Sequence, residues 1–254
     1  MHHRGIQYLY TYCVDNCLAR VADPVFLGYC ISKKAHCGTK VVKKAEPKES
    51  VGVVALKSGK WNVIEYSEIS TELSEARDAS TGDLSLRAAN IANHFYDVRF
   101  LDRIDSFSAT MAFHIARKKI PHTDLATGQA VKPSSVNGMK LELFIFDVLP
   151  FLDPLEQHAL LEVGRSAEFS PLKNAPGTGS DDPQTSRRDL LNLQKGWLSK
   201  AGVEFEDEHT TEVELSPLVS YGGEGLEGVA VQGKRIPTGT HRVESLDELK
   251  ALFV

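Results

Sequence analysis

The stretch Gln7-Tyr8-Leu9-Tyr10-Thr11-Tyr12-Cys13-Val14-Asp15-Asn16 sets the reading of the fold. Aromatic and β-favouring residues fill it, neither Gly nor Pro interrupts it, and it runs into an acid. Such a run reads as a buried strand whose end delivers a carboxylate to a ligand crevice. In open α/β sheets that crevice lies beyond the carboxyl ends of the strands. Asp15 is therefore the first candidate for site chemistry. An Asp that merely caps the next turn is the other reading of these ten residues.

Working outward, Asp23-Pro24 reads as an N-cap followed by Pro at the first helical position. The helix it opens carries Phe26, Leu27, Cys30 and Ile31 on one face and stops near Gly38, and residues 39–43 form a second strand. Strand, helix and strand at this length make a βαβ unit and a parallel sheet. Residues 51–56 and 61–66 flank Lys57-Ser58-Gly59-Lys60, a hairpin signal. Short helices follow over 70–77 and near 100–104. The spacing of 111–119, ending in Arg117-Lys118-Lys119, predicts a helix with a basic C-terminus. The run 139–147 is too apolar for periodicity to separate strand from buried helix. Pro183 opens a helix with Leu190, Leu193 and Trp197 on one face, which Gly202 closes. Beyond it the pattern changes to short β-like pieces at 203–205, 212–221, 229–232 and 235–237, then a helix over 247–253. A domain boundary is expected near residue 204, dividing 1–204 from a small β-rich part, 205–254.

The chain has 254 residues, 42% hydrophobic and 25% charged, enough for a sizeable core. Its 34 acids and 29 bases are interleaved, for a formal charge of −5, so no basic stripe for nucleic acid is present. Binding of phosphates must rest on a few placed Lys residues. No apolar run approaches the ~20 residues of a membrane span, and no secretory signal is visible. Cys13, Cys17, Cys30 and Cys37 form no C-x-x-C pair and no zinc-finger spacing. Reduced thiols in a cytoplasmic protein are the expectation.

Three motif matches fail on context. Gly223, Gly225 and Gly228 fit G-x-G-x-x-G, but no helix follows to receive a pyrophosphate. Residues 228–234 resemble a P-loop, but Arg235 replaces the Ser or Thr that holds magnesium. Ser170 and Lys173 match S-x-x-K without its partner motifs. What holds is a dispersed set: Asp15, Glu65-Tyr66, Asn90, Lys140 and Lys173. Carboxylates and amides hydrogen-bond sugar hydroxyls, Lys neutralises phosphate, and Asp holds a hard cation. Singly, each of these residues also fits a surface or capping role.

Four segments in one order carry a resemblance. They are Tyr12-Cys13-Val14-Asp15-Asn16, Val63-Ile64-Glu65-Tyr66-Ser67-Glu68, Asn90-Ile91-Ala92-Asn93-His94-Phe95 and Phe169-Ser170-Pro171-Leu172-Lys173-Asn174, the last followed by Asp181-Asp182-Pro183-x-Thr185-x-Arg187. Together they resemble the eukaryotic UDP-N-acetylglucosamine (UDP-N-acetylhexosamine) pyrophosphorylases over nearly the whole chain. The resemblance implies an α/β, Rossmann-like nucleotidyltransferase (GT-A-like) mixed sheet with helices, and a small β-rich C-terminal domain. It implies uridylyl transfer, in which UTP and N-acetylglucosamine 1-phosphate give UDP-N-acetylglucosamine and pyrophosphate, assisted by Mg²⁺.

Carried over by position, the resemblance implies that Asp15 meets the UTP phosphates with Mg²⁺. Glu65 and Tyr66 would hold the N-acetylhexosamine, and Asn90 would contact the sugar. Lys140 would lie near the UTP phosphates and Lys173 would face the sugar phosphate. Phe144 resembles an aromatic near the acetamido pocket, and equally fits a plain core position. Ala89 stands where some members have Gly. The family's Gly-rich, Arg-containing nucleotide loop precedes the Tyr-Cys-Val-Asp-Asn strand, and residues 1–9 contain nothing like it. The chain is therefore expected to correspond to the C-terminal half, with weak or no turnover alone. A non-catalytic module that binds sugar phosphates is the alternative. A glycosyltransferase is disfavoured because no two Asp are separated by one residue.

Overall fold

The computed structural model describes residues 1–254, and the chain divides into two compact units. The first comprises Met1–Thr11, Val25–Asn90 and His94–Leu161; the second comprises Tyr12–Pro24, Ile91–Asn93 and Glu162–Val254.

In the first unit β1 (Tyr8–Thr11) precedes α1 (Pro24–Ser32) and β2 (Cys37–Lys43). The hairpin follows as β3 (Val53–Lys57) and β4 (Lys60–Ile64). Ser58 and Gly59 both take positive φ, 53° and 75°, the primed turn that suits the twist of a two-residue hairpin. Next come α2 (Thr71–Glu75), capped by the Ser70 side chain, and the long β5 (Ala88–Asp97). Then α3 (Val98–Leu101), α4 (Ile104–Phe107) and β6 (His114–Lys118) lead to the short β7 (His122–Thr123) and β8 (Ala130–Val131). β9 (Gly138–Glu142) and β10 (His158–Val163) complete the unit.

The six-stranded sheet runs β10-β2-β5-β3-β4, with β1 also on β5. β5 lies between the two strands of the expected βαβ unit. β1 pairs with it antiparallel. At the β2 side, Lys44 N–H donates to the Arg87 carbonyl and Asp97 N–H to the His36 carbonyl, an order that also makes β2 antiparallel to β5. β1 and β2 are thus parallel without being neighbours. The core on this unit unites Val41, Val54, Tyr96, Phe100 and Leu149.

Two expectations are corrected here. The strand read over 7–16 is only β1, and Asp15 lies in a turn beyond it. Residues 111–119 are not a helix, because β6 pairs antiparallel with β9 over five residues, Ala116 opposite Lys140. Its run of cations marks an exposed ribbon rather than a helix end, and charge is a common protection of such edges. The apolar run 139–147 resolves as strand through Glu142, followed by turns.

In the second unit α5 (Arg165–Glu168) precedes α6 (Pro183–Lys200). Asp182 accepts from Thr185 N–H while Thr185 Oγ1 accepts from Asp182 N–H, a reciprocal cap. The Thr185 N–H, and after it the Gly179 N–H on the other oxygen, hold the Asp182 carboxyl down to about 2. Leu191, Gln194 and Leu198 form the buried stripe of α6. β11 (Glu204–Phe205), β12 (Thr211–Leu215), β13 (Arg235–Ile236), β14 (Gly239–Val243) and α7 (Leu246–Ala251) follow. β12 pairs with β14 and β11 with β13, both parallel. The piece expected over 229–232 is not a strand, and β14 was not foreseen. The Gly223, Gly225 and Gly228 triplet forms turns, all three at positive φ, with no helix until α7.

Candidate functional site

In the second unit the Asp15 turn and the strap 169–174 are tied main chain to main chain. Leu172 N–H donates to the Asp15 carbonyl at 2.8 Å, and Asn16 bridges to Pro171. The pin is the buried Asn16 side chain: Nδ2 donates to the Glu168 carbonyl at 2.8 Å, and Oδ1 accepts from Ser170 N–H at 2.9 Å and Leu18 N–H at 3.3 Å. Ser170 Oγ donates to Asp189 rather than serving Lys173, which disposes of the S-x-x-K match. Lys173 and Asn174 both donate their N–H to the Asp181 carbonyl, closing the loop beyond. Asp15 and Lys173 are thus brought together on two neighbouring, mutually bonded segments. The Cys13 thiol senses both charges. Burial and then Asp15 push it up, and Lys173 pulls it down.

Phe169, Ser170 and Pro171 also border a cavity of ≈ 870 Å³, whose far wall is the α6 stripe of Asn192, Leu193, Gly196 and Trp197. The Asn16 and Ser170 hydrogen bonds, with Ser186 Oγ donating to the Pro171 carbonyl, help place the strap beside this cavity.

In the first unit Gly52 joins two expected sugar residues. Its carbonyl accepts from Asn90 N–H at 2.8 Å, while a Cβ added to it would meet Glu65 Oε1 at 3.2 Å and Val63 Cγ1 at 2.8 Å. A side chain at 52 would press first on Val63 and then on the Glu65 carboxylate. Ala89 pairs with Val53 inside β5 and is not among the positive-φ residues, so its methyl brings no backbone strain. Glu65 precedes the short turn Tyr66–Glu68, its carbonyl accepting from Glu68 N–H at 2.8 Å, and Tyr66 is exposed.

Phe144 is half-buried, its ring 4.9 Å from the His114 imidazole and 5.1 Å from Phe146. His114 Nε2 is 2.9 Å from Asp147 Oδ1, and Asp147 Oδ2 accepts from Phe144 N–H at 2.6 Å. On its other side His114 Nδ1 lies 3.5 Å from Glu68 Oε1. Burial pulls the His114 pKa down, but the Asp147 hydrogen bond and the charges of Asp147, Glu68 and Glu65 outweigh it, so the net shift is upward. Lys140 sits apart on the exposed ribbon, its ammonium bonded to Glu142. That bond, ahead of other causes, holds the Glu142 carboxyl below its ordinary value.

His114, Asp147, Gly52 and Asn16 escaped the sequence reading. Asn16 ends the Tyr12-Cys13-Val14-Asp15-Asn16 segment, and Asp147 ends an apolar run. His114 carried no local signal, because its partners lie in distant parts of the chain.

A family model described as UTP--glucose-1-phosphate uridylyltransferase matches residues 1–252. The chain belongs to this family. Among curated relatives, the UDP-N-acetylglucosamine pyrophosphorylase of Saccharomyces cerevisiae is 50% identical over 224 residues, covering 88% of this chain and 46% of the relative. The UDP-N-acetylhexosamine pyrophosphorylase-like protein 1 of Homo sapiens is 45% identical over 251 residues, covering 92% and 48%. The crystal structure of the uridine diphosphate N-acetylglucosamine pyrophosphorylase from Trypanosoma brucei in complex with inhibitor superposes with a TM-score of 0.75 at 35% identity, covering 89% and 45%. The uridylyltransferase family assignment and these neighbours give the nucleotidyltransferase fold. The chain spans about half the length of the curated relatives it matches.

Proposed function

We propose that the chain supplies sugar- and phosphate-binding parts of a uridylyltransferase that joins UTP and N-acetylglucosamine 1-phosphate, giving UDP-N-acetylglucosamine and pyrophosphate. The observation that carries this reading is the Leu172 N–H to Asp15 carbonyl bond, which ties the turn carrying Asp15 to the strap carrying Lys173. A phosphate oxygen of the sugar phosphate attacks the α-phosphorus in line, a new P–O bond forms, and the bond to the leaving pyrophosphate breaks. Such chemistry rests on positioning and on charge offset at the equatorial oxygens rather than on covalent help. Lys173 faces the sugar phosphate, and Lys140 reaches the UTP phosphates by exchanging its Glu142 partner for them. Glu65 accepts hydrogen bonds from sugar hydroxyls, Asn90 adds an amide contact, Tyr66 completes the sugar wall and Phe144 lines the acetamido side.

Asp15 fits a magnesium ion. No group of three or more His, Cys, Asp or Glu forms a metal cage, but Mg²⁺ characteristically takes one or two carboxylates and completes its shell with water and substrate phosphates. When bound, Mg²⁺ neutralises phosphate charge at the reacting centre. The core of Phe205, Val213, Leu215, Ile236, Val243 and Leu249 supports our placing a β-rich part at 205–254, after a catalytic part at 1–204. Free thiols at Cys13, Cys17, Cys30 and Cys37 support a cytoplasmic setting, and no helix is long and apolar enough to cross a membrane.

Calorimetric titration with UDP-N-acetylglucosamine, with and without Mg²⁺, tests the phosphate side. Mg²⁺ should strengthen binding in the unaltered chain and not in Asp15→Asn, and Lys173→Ala should weaken it about tenfold or more, the scale of a lost charge-assisted bond. An unchanged Mg²⁺ response in Asp15→Asn would remove Asp15 from this role.

A further inference from the structure

We propose that His114 is a positioning residue for the N-acetylhexosamine side of the site: with its ring protonated, it gathers Glu65, Glu68 and Phe144 into the arrangement that receives the sugar. The inference rests on the sugar-site reading above and adds to it a residue and a proton.

The geometry is specific. Asp147 holds the imidazole through Oδ1 and the Phe144 main chain through Oδ2, so ring and aromatic share one carboxylate. The Phe144 ring lies against the imidazole at 4.9 Å. Across the imidazole stands Glu68, at the end of the turn that Glu65 precedes and Tyr66 opens. In the neutral ring that donates Nε2–H to Asp147, Nδ1 is a lone pair, and it would face the Glu68 carboxylate acceptor to acceptor. In the imidazolium both nitrogens donate, and one cation offsets Asp147, Glu68 and the nearby Glu65. From β3 Lys57 Nζ lies 3.7 Å from Glu68 Oε2, leaving Oε1 to His114, and Glu142 stands opposite His114 in the ribbon with Lys140 bonded to it. Loss of the proton therefore leaves like charges facing one another, and the Glu65–Glu68 turn has reason to part from Phe144. His114 is partly exposed, at 23%, so the proton exchanges with solvent.

The test is the affinity for UDP-N-acetylglucosamine at fixed Mg²⁺, measured from about pH 6 to about pH 8.5, with the imidazole protonation followed by NMR. Affinity of the unaltered chain should fall about tenfold across this window, the coupling that one pKa unit represents. His114→Gln should bind with little pH dependence, near the alkaline value. Asp147→Asn should move the midpoint to lower pH, a shift that a merely structural role would not produce. It also decides the matter if His114→Gln proves unfolded by circular dichroism. A flat profile in the unaltered chain, or an unchanged profile in His114→Gln, overturns the proposal while Glu65→Ala still abolishes binding. No binding at any pH by the folded chain overturns the sugar-site reading and this role with it.

Discussion

At the scale of single residues, placement depends on groups that touch no ligand. Gly52 leaves the space that Glu65 occupies beside Asn90. Gly52→Ala should cost some stability through its contact with Val63, and should displace the carboxylate and lower UDP-N-acetylglucosamine affinity about tenfold, as a hydrogen-bonding group lost from a site does. Titration beside a thermal melt separates the two effects. Asn16 is a different case. It satisfies three main-chain groups in a buried position, so Asn16→Ala should destabilise the chain by about 2 kcal/mol or more through unsatisfied donors and acceptors. Urea unfolding measures that loss, and a change under about 0.5 kcal/mol would deny Asn16 its pinning role.

At the scale of elements, α6 follows local rules closely enough to be read from sequence: Asp182-Pro183 starts it and Gly202 follows it. Asp182→Ala should lower the melting temperature by a few degrees through loss of the reciprocal cap. The folded carboxyl lies at about 2, below its ordinary value, so this stability is present above the ordinary carboxyl range and lost as pH falls through about 2. The hairpin was equally legible, since Ser58-Gly59 adopts the backbone its turn demands. β6 was not. Its basic end and apolar spacing fit a helix locally, and only pairing with β9, some twenty residues on, makes it a strand. At the site, Asp15, Glu65 and Asn90 are candidates through their segments, and Phe144 through the resemblance alone. The His114–Asp147 pair spans distant sequence and has no local pattern, so only the folded chain reveals it.

At the scale of the whole molecule, acid sensitivity has an identifiable source in the first unit. Thr39 Oγ1 lies 3.1 Å from His94 Nδ1 and 3.0 Å from His158 Nε2, and the other nitrogen of each buried ring has no partner. Burial, aided by His158, holds His94 at about 3, and burial holds His158 at about 4. Both folded values lie below the ordinary histidine value, so the unfolded chain binds more protons between them. The stability these rings allow is complete above about pH 6.5 and falls as pH drops, by about 2 kcal/mol per histidine at pH 5. Urea midpoints at pH 7 and 5 check this, and replacing His158 by Phe should flatten the slope.

The central claim is that Glu65, set against Asn90 by Gly52, holds the sugar of a UDP-N-acetylhexosamine. The measurement that tests it most directly is calorimetric titration of the folded chain with UDP-N-acetylglucosamine in Mg²⁺, beside Glu65→Ala. Saturable binding that Glu65→Ala abolishes is the predicted result. Equal binding by both chains, or none by the unaltered chain, would contradict it.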